Sequence, residues 1–558
     1  RGYVNHKVTV NYGLDSEADG TYVSISGPNR LKLMMNFSNL TFFNPRYSED
    51  DDGNSIKDSS MGGVAAYGIL AEMDFVDATR MAVSGHSMGT WSSWTVAAGL
   101  SGAVNGKGED ISPKATVIQC GELFTDDVYN TDDIRFNNVL LLQAKYDEFN
   151  YFRDYADTVT DDLLKTPLRA DFLGCTPETA AWDTTFGSFS DGTARRIELL
   201  YTNHRLTTHD AHGMRTALDW FESALSLDAA LLSSDQVFMA KEALVFAAML
   251  LALAAMLPLM ELLLLTPFFA SVRQPLPARP EKVNRGWKWW RGALITILIA
   301  GATYPFMTQL GHGLLPLPEG VFRMTIGNGF LAWYLLLILV MLLTTVLSFK
   351  KAKKKGAPLD YYDIGLSREA NAARIDWALC GKAALLALCM TGLVYVLVVL
   401  SELCFKLDFR FIWPFFKGFT AQRIGQFFVY IPVFALFFLL NNSKIFASMR
   451  QEAASVPGFK GFMACWWKNA LCMAGGVILI ILLEYIPFFM GIGPGADLLF
   501  GSTFGGPFMS LMIVFVPQVL AFSVLCTYIY RRTGSVYTGA FTVATLACWI
   551  VTGGSAML

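Results

Sequence analysis

A serine set between two glycines is the first place where residue types and spacing point to chemistry. Residues 80–90 read RMAVSGHSMGT and contain Gly85-His86-Ser87-Met88-Gly89. A short apolar run, 81–84, precedes the serine, and a stretch rich in small residues, 90–99, follows it. This is G-x-S-x-G in strand–turn–helix context, the pattern of a nucleophile elbow. The turn is sharp and strained, so the residues two positions either side of Ser87 must do without a Cβ. A helix starting beneath the serine aims its first N–H groups at a developing oxyanion, with Met88 as one expected donor. A serine hydroxyl attacks a carbonyl only when a base takes its proton and an acid orients that base.

The elements around the motif limit where that base and acid can come from. Residues 115–120 (ATVIQC) and 138–144 (NVLLLQA) read as strands, and the second runs into Lys145-Tyr146-Asp147-Glu148-Phe149. Residues 196–202 (RIELLYT) read as a last strand, followed by His204, His209 and His212 and an amphipathic helix over 213–225. The other histidines are His6, His86 and His312, six in all.

The elbow, the Lys145-Tyr146-Asp147-Glu148 segment and the His204 segment together resemble the α/β-hydrolase superfamily, of the dienelactone-hydrolase and serine-aminopeptidase-like kind. The resemblance covers about residues 1–225 and implies the chain order serine, acid, histidine. It implies Ser87 as nucleophile and Asp147 as acid, with Glu148 the alternative. The base lies in the last segment: His204 comes directly off the strand, His209 is the alternative and His212 a third option. Neither a metal nor an organic cofactor is implied. Residues 74–80 look like the lead-in to the elbow strand. Residues 1–4 and 12–16 resemble the strand after the oxyanion loop. The second oxyanion donor is therefore expected upstream of Arg1, in a longer gene product. Residues 148–195, rich in Phe and Tyr, suggest a helix and a small cap shaping the pocket, or else plain core packing. The acidic run 49–52 reads as a solvated loop.

The rest of the chain is of another kind. Apolar residues make up 53% of the 558, with a mean hydropathy of +0.38, and charge is concentrated in the first 240 residues. A membrane-crossing helix needs about 20 mostly apolar residues. Eight segments qualify: 243–265, 292–310, 327–349, 383–404, 424–443, 469–490, 509–530 and 536–554. Lys and Arg crowd the odd loops, above all in the run Lys350–Lys355, while the even loops hold only Arg323, Lys406, Arg410, Lys417 and Arg423. The positive-inside rule makes the odd loops cytoplasmic and both ends extracytoplasmic. Glu261, Glu402 and Glu484 lie in or near the spans and are either functional, near an interface or in a helix–helix contact. Of nine cysteines none forms a CxxC pair, so zinc and thioredoxin-like chemistry are not expected. Cys120 and Cys175, the two outside the apolar half, are a disulfide or two unrelated thiols. A net charge of -3 does not suit a nucleic-acid partner.

The reading is an α/β-hydrolase domain over 1–228 followed by an all-α transmembrane bundle over 229–558. The expected function is a membrane-anchored serine hydrolase of ester or amide bonds, acting on a small-molecule or lipid acyl substrate. A bacterial cytoplasmic membrane suits the topology, with the hydrolase domain outside. An acyltransferase acting on an envelope lipid or glycan stays open. So does a transporter or sensor with a hydrolase-like binding domain.

Overall fold

A strand that is apolar on both faces must be covered on both sides, which is the situation of a parallel sheet between helices. The run Val139-Leu140-Leu141-Leu142 is such a strand, with all four side chains fully buried. A computed structural model describes residues 63–558 except 88, 122, 124–135, 150–160, 229, 277–285, 316, 319, 494–507, 510, 556 and 558, together with residue 60 and four short strands before it. Those strands pair as Lys7–Val8 with Leu31–Lys32 and Tyr47–Glu49 with Ser55–Lys57, both antiparallel. The expected oxyanion donor Met88, the segments 1–4 and 12–16, and Asp50–Asp52 lie outside the described residues.

The chain divides into two compact units. The first comprises Arg1–Met239 with Pro487–Pro494. Its centre is a four-stranded sheet: β1 (Val83–His86), β2 (Thr116–Gln119), β3 (Val139–Tyr146) and β4 (Arg195–Asn203). The strands lie side by side in chain order and every pair is parallel. Helix α1 (Gly63–Ala71) precedes β1, α2 (Gly89–Gly99) follows it, α3 (Pro167–Leu173) lies before β4, and α4 (Ala211–Ala224) comes after β4.

Alternation along the strands sorts the core into two layers. Ile118, Val139, Leu141 and Ile197 pack with Trp94 of α2 and Leu173 of α3. Val117, Leu140, Leu142 and Leu200 pack on the other side with Ala217 and Trp220 of α4. The indole N–H of Trp220 donates to the Asn138 carbonyl at 2.8 Å, so the one polar atom of that large side chain is satisfied inside the layer.

The second unit comprises Ala240–Ile486 and Gly495–Leu558. Its long helices among the described residues are α5 (Phe238–Leu263), α6 (Trp287–Gln309), α7 (Thr325–Lys354), α8 (Trp377–Phe405), α9 (Ala421–Asn442), α10 (Gly458–Phe489), α11 (Met512–Thr533) and α12 (Val536–Gly554). All eight are long and apolar enough to cross a membrane, which makes this an integral membrane protein. Each overlaps one of the eight spans read from the sequence, though α10 begins at Gly458, well before the expected 469.

Helices α6 and α12 are the least apolar of the eight, each with a mean hydropathy of 1.4, but α12 is far more enclosed, 83% buried against 33%. It packs against α8, α9 and α11. Its Thr542 and Thr552 hydroxyls donate to the carbonyls of Thr538 and Cys548, at 2.8 and 2.7 Å. A helix surrounded by protein can carry small and polar residues that lipid would reject. The same logic serves α6 and α10. A Cβ on Gly301 would lie 2.9 Å from the Gly476 carbonyl oxygen, so the crossing is closed by glycine on glycine. Glu261 forms ion pairs with Arg273 at 2.7 Å and with Arg532, while Glu484 is buried and Glu402 is half-buried in the last turn of α8.

Candidate active site

Parallel strands put all their carboxyl ends on one edge, where open α/β sheets bind their ligands. The residue directly after β1 is Ser87, after β2 Cys120, after β3 Asp147 and after β4 His204. The registers align these positions in two pairs, because Gln119 pairs with Leu142 while β3 runs on to Tyr146. His86 pairs with Gln119, so Ser87 and Cys120 come next on adjacent strands. Tyr146 pairs with Asn203, so Asp147 and His204 come next on the other two.

Ser87 turns sharply out of its strand. Its φ is 56°, in the left-handed region that costs a non-glycine residue roughly 1–2 kcal/mol. The surrounding structure holds it there. The Ser87 N–H donates to the Gln119 carbonyl at 2.9 Å, and the Ser87 carbonyl accepts from the Thr90 N–H at 2.9 Å and the Thr90 hydroxyl at 2.6 Å. Gly85 makes the turn possible: a Cβ there would stand 2.1 Å from the Gly89 carbonyl oxygen and 2.6 Å from Ser93 Oγ. Gly89 has no such neighbour, so the crowding is one-sided.

His204 is held at three points. Its Nδ1 lies 2.9 Å from Asp147 Oδ1. Its backbone N–H donates to Glu148 Oε2 at 3.1 Å. Its carbonyl accepts from His86 Nε2 at 2.7 Å. Asp147, Glu148 and His204 are all buried. Asp147 Oδ1 also accepts the Phe149 N–H at 2.9 Å, and the Phe149 ring packs on the imidazole with centroids 4.5 Å apart. With Nδ1–H donated to a carboxylate, the basic nitrogen of His204 is Nε2. A buried imidazole oriented in this way is what a general base requires.

The histidines read as alternatives make other contacts. His209 ends the short turn Thr207–His209, with Nδ1 2.9 Å from the Thr208 hydroxyl. His212 sits in the first turn of α4, with Nε2 2.6 Å from Glu198 Oε1. Glu198 is fully buried and also receives Arg196 Nε at 2.5 Å.

Two neighbours were invisible as site residues in the sequence. His86 occupies the variable position before the serine, and its ring centroid lies 4.8 Å from that of His204. Burial and the facing His204 push its imidazole well below the usual range, so it stays uncharged at neutral pH. Cys120 and Cys175 are not joined in a disulfide, and Cys120 Sγ lies 3.0 Å from the Thr207 hydroxyl. Only the parallel pairing of β1 with β2 brings position 120 beside position 87.

No family model, curated protein or solved structure matches the chain.

Proposed function

We propose that the chain is a membrane-anchored serine hydrolase with an α/β-hydrolase-type active site. The observation that carries this reading is the buried His204–Asp147 hydrogen bond on the same sheet edge as a serine in a left-handed elbow. In the proposed reaction His204 Nε2 accepts the Ser87 Oγ proton as the oxygen attacks the substrate carbonyl. Asp147 keeps the imidazole in the required tautomer and stabilises the imidazolium that forms. The backbone N–H of Met88, the residue after the serine in the chain, is the proposed oxyanion donor. The imidazolium returns its proton to the leaving group, and an acyl-Ser87 ester remains. Water, deprotonated by His204, then attacks that ester and releases the acid. Phe149 on the imidazole face and the neutral His86 keep competing charge and solvent away from the base.

The apolar bundle supports an acyl substrate drawn from or presented at the bilayer. The loop charges support an extracytoplasmic hydrolase unit, which proteolysis of sealed vesicles of known sidedness would test. Protection of that unit in right-side-out vesicles would reverse the orientation. The activity itself is tested by fluorophosphonate labelling of the membrane-inserted chain beside Ser87→Ala. Labelling that disappears in the variant is expected. A folded wild-type chain that takes no label would overturn the reading.

A further inference from the structure

We infer that His86, Cys120 and His204 form a binding site for a thiophilic cation of the zinc class, and that its occupancy switches the hydrolase off. One ligand atom from each of the three residues lies within 4.8 Å of the others, and all three residues are buried. Two imidazoles and one thiolate are the donor set that zinc selects over hard, oxygen-seeking cations.

Proximity alone would be a weak argument. Metal-binding histidines are recognised by what the second ring nitrogen does, since it is almost always donated to a carboxylate or a backbone carbonyl. Both histidines here meet that condition. His204 engages Asp147 through Nδ1, and so offers Nε2. His86 engages the His204 carbonyl through Nε2, and so offers Nδ1. The thiol is oriented as well, by its contact with the Thr207 hydroxyl and by a φ of 47° at Cys120. Tetrahedral zinc, with bonds of about 2.0–2.3 Å, needs its ligand atoms roughly 3.4–3.7 Å apart. Side-chain rotations that close the cluster by about 1 Å suffice. On binding, the Cys120 thiol gives its proton to solvent and both imidazoles bind neutral.

The functional consequence rests on the proposed triad. The nitrogen that would bind the cation, His204 Nε2, is the one that must accept the Ser87 proton. Metal and catalysis therefore compete for a single lone pair. The site was hidden in the sequence because its members lie at positions 86, 120 and 204, on three different strand ends, with none of the short spacings that mark zinc motifs.

The experiment uses the intact chain, purified in detergent and freed of metal, with Co2+ and Zn2+ as probes. Co2+ titration should give a saturable one-to-one complex with a thiolate charge-transfer band, lost in Cys120→Ser and weakened in His86→Gln. Zn2+ should lower fluorophosphonate labelling of Ser87 by tenfold or more, with recovery on chelation. Each variant is scored by its own ratio of labelling with and without Zn2+, and Cys120→Ser should need ten- to a hundredfold more zinc for the same ratio. No cobalt thiolate band in the wild type overturns the site. Zinc inhibition that is unchanged in both variants overturns it as well. A cobalt complex with the expected band in a chain that never labels would leave the metal site standing and sink the hydrolase reading instead.

Discussion

The Glu148 carboxylate accepts the backbone N–H of His204 at 3.1 Å, with both groups buried. Adjacent acids in the sequence thus divide the work: Asp147 fixes the ring of the histidine, and Glu148 fixes its main chain. Glu148→Ala should leave a buried N–H unsatisfied and cost about 1–3 kcal/mol of stability. Glu148→Gln keeps an acceptor oxygen and should retain most of that stability. Thermal unfolding of the two variants in detergent decides it, and equal losses would mean that the hydrogen bond is not what matters.

Asp147→Asn should preserve the fold while removing the group that selects the His204 tautomer. If the proposed triad operates, a loss of up to about 10⁴-fold in acylation rate is expected. The rate of fluorophosphonate labelling reports it directly. His209→Ala should lower that rate far less than His204→Ala; equal losses would return His209 to contention as the base.

Gly85→Ala places a methyl group 2.1 Å from the Gly89 carbonyl oxygen, where backbone cannot yield cheaply. The elbow should open, with a destabilisation of roughly 2–4 kcal/mol and loss of labelling. Gly89→Ala meets no neighbour within 4 Å and should be tolerated far better. Comparing the melting temperatures of the two separates crowding at the elbow from a general intolerance of substitution.

Asp110 gives the first unit an acid-sensitive staple outside the site. Partial burial raises its carboxyl, but hydrogen bonds from Lys114 and Ser112 outweigh that and bring it down to about 2, from an ordinary 3.8. The contacts are Lys114 Nζ at 2.6 Å, the Ser112 hydroxyl at 2.6 Å and the Ser112 N–H at 2.9 Å. A depressed carboxyl stabilises the fold above its unfolded value and loses that contribution as pH falls through the folded one. Asp110→Asn should therefore be less stable than wild type at neutral pH, by a modest amount because the pair is exposed to solvent. The gap should narrow between pH 4 and pH 2. A gap that is constant with pH would show that charge is not its origin.

The eight spans were legible because a bilayer demands about 20 apolar residues whatever the tertiary contacts. The strand ends at Ser87, Asp147 and His204 were legible because apolar runs stop abruptly there and polar residues follow. What could not be read was lateral order. Nothing local in the sequence says that the strand ending at Gln119 lies beside the one ending at His86, so Cys120 reads only as half of a disulfide with Cys175 or as an unrelated thiol. Nor could His86 be read as the donor to the His204 carbonyl, because that bond joins residues 118 positions apart.

The burial of α12 has a bearing on how the protein is made. A ribosome delivers the helices in chain order, so α8, α9 and α11 enter the bilayer before α12 exists. Until α12 arrives, α8, α9 and α11 flank a space that only lipid or one another can fill. Packing of α8, α9 and α11 therefore waits for a helix that follows them in the chain, one whose small and polar residues suit protein neighbours better than lipid.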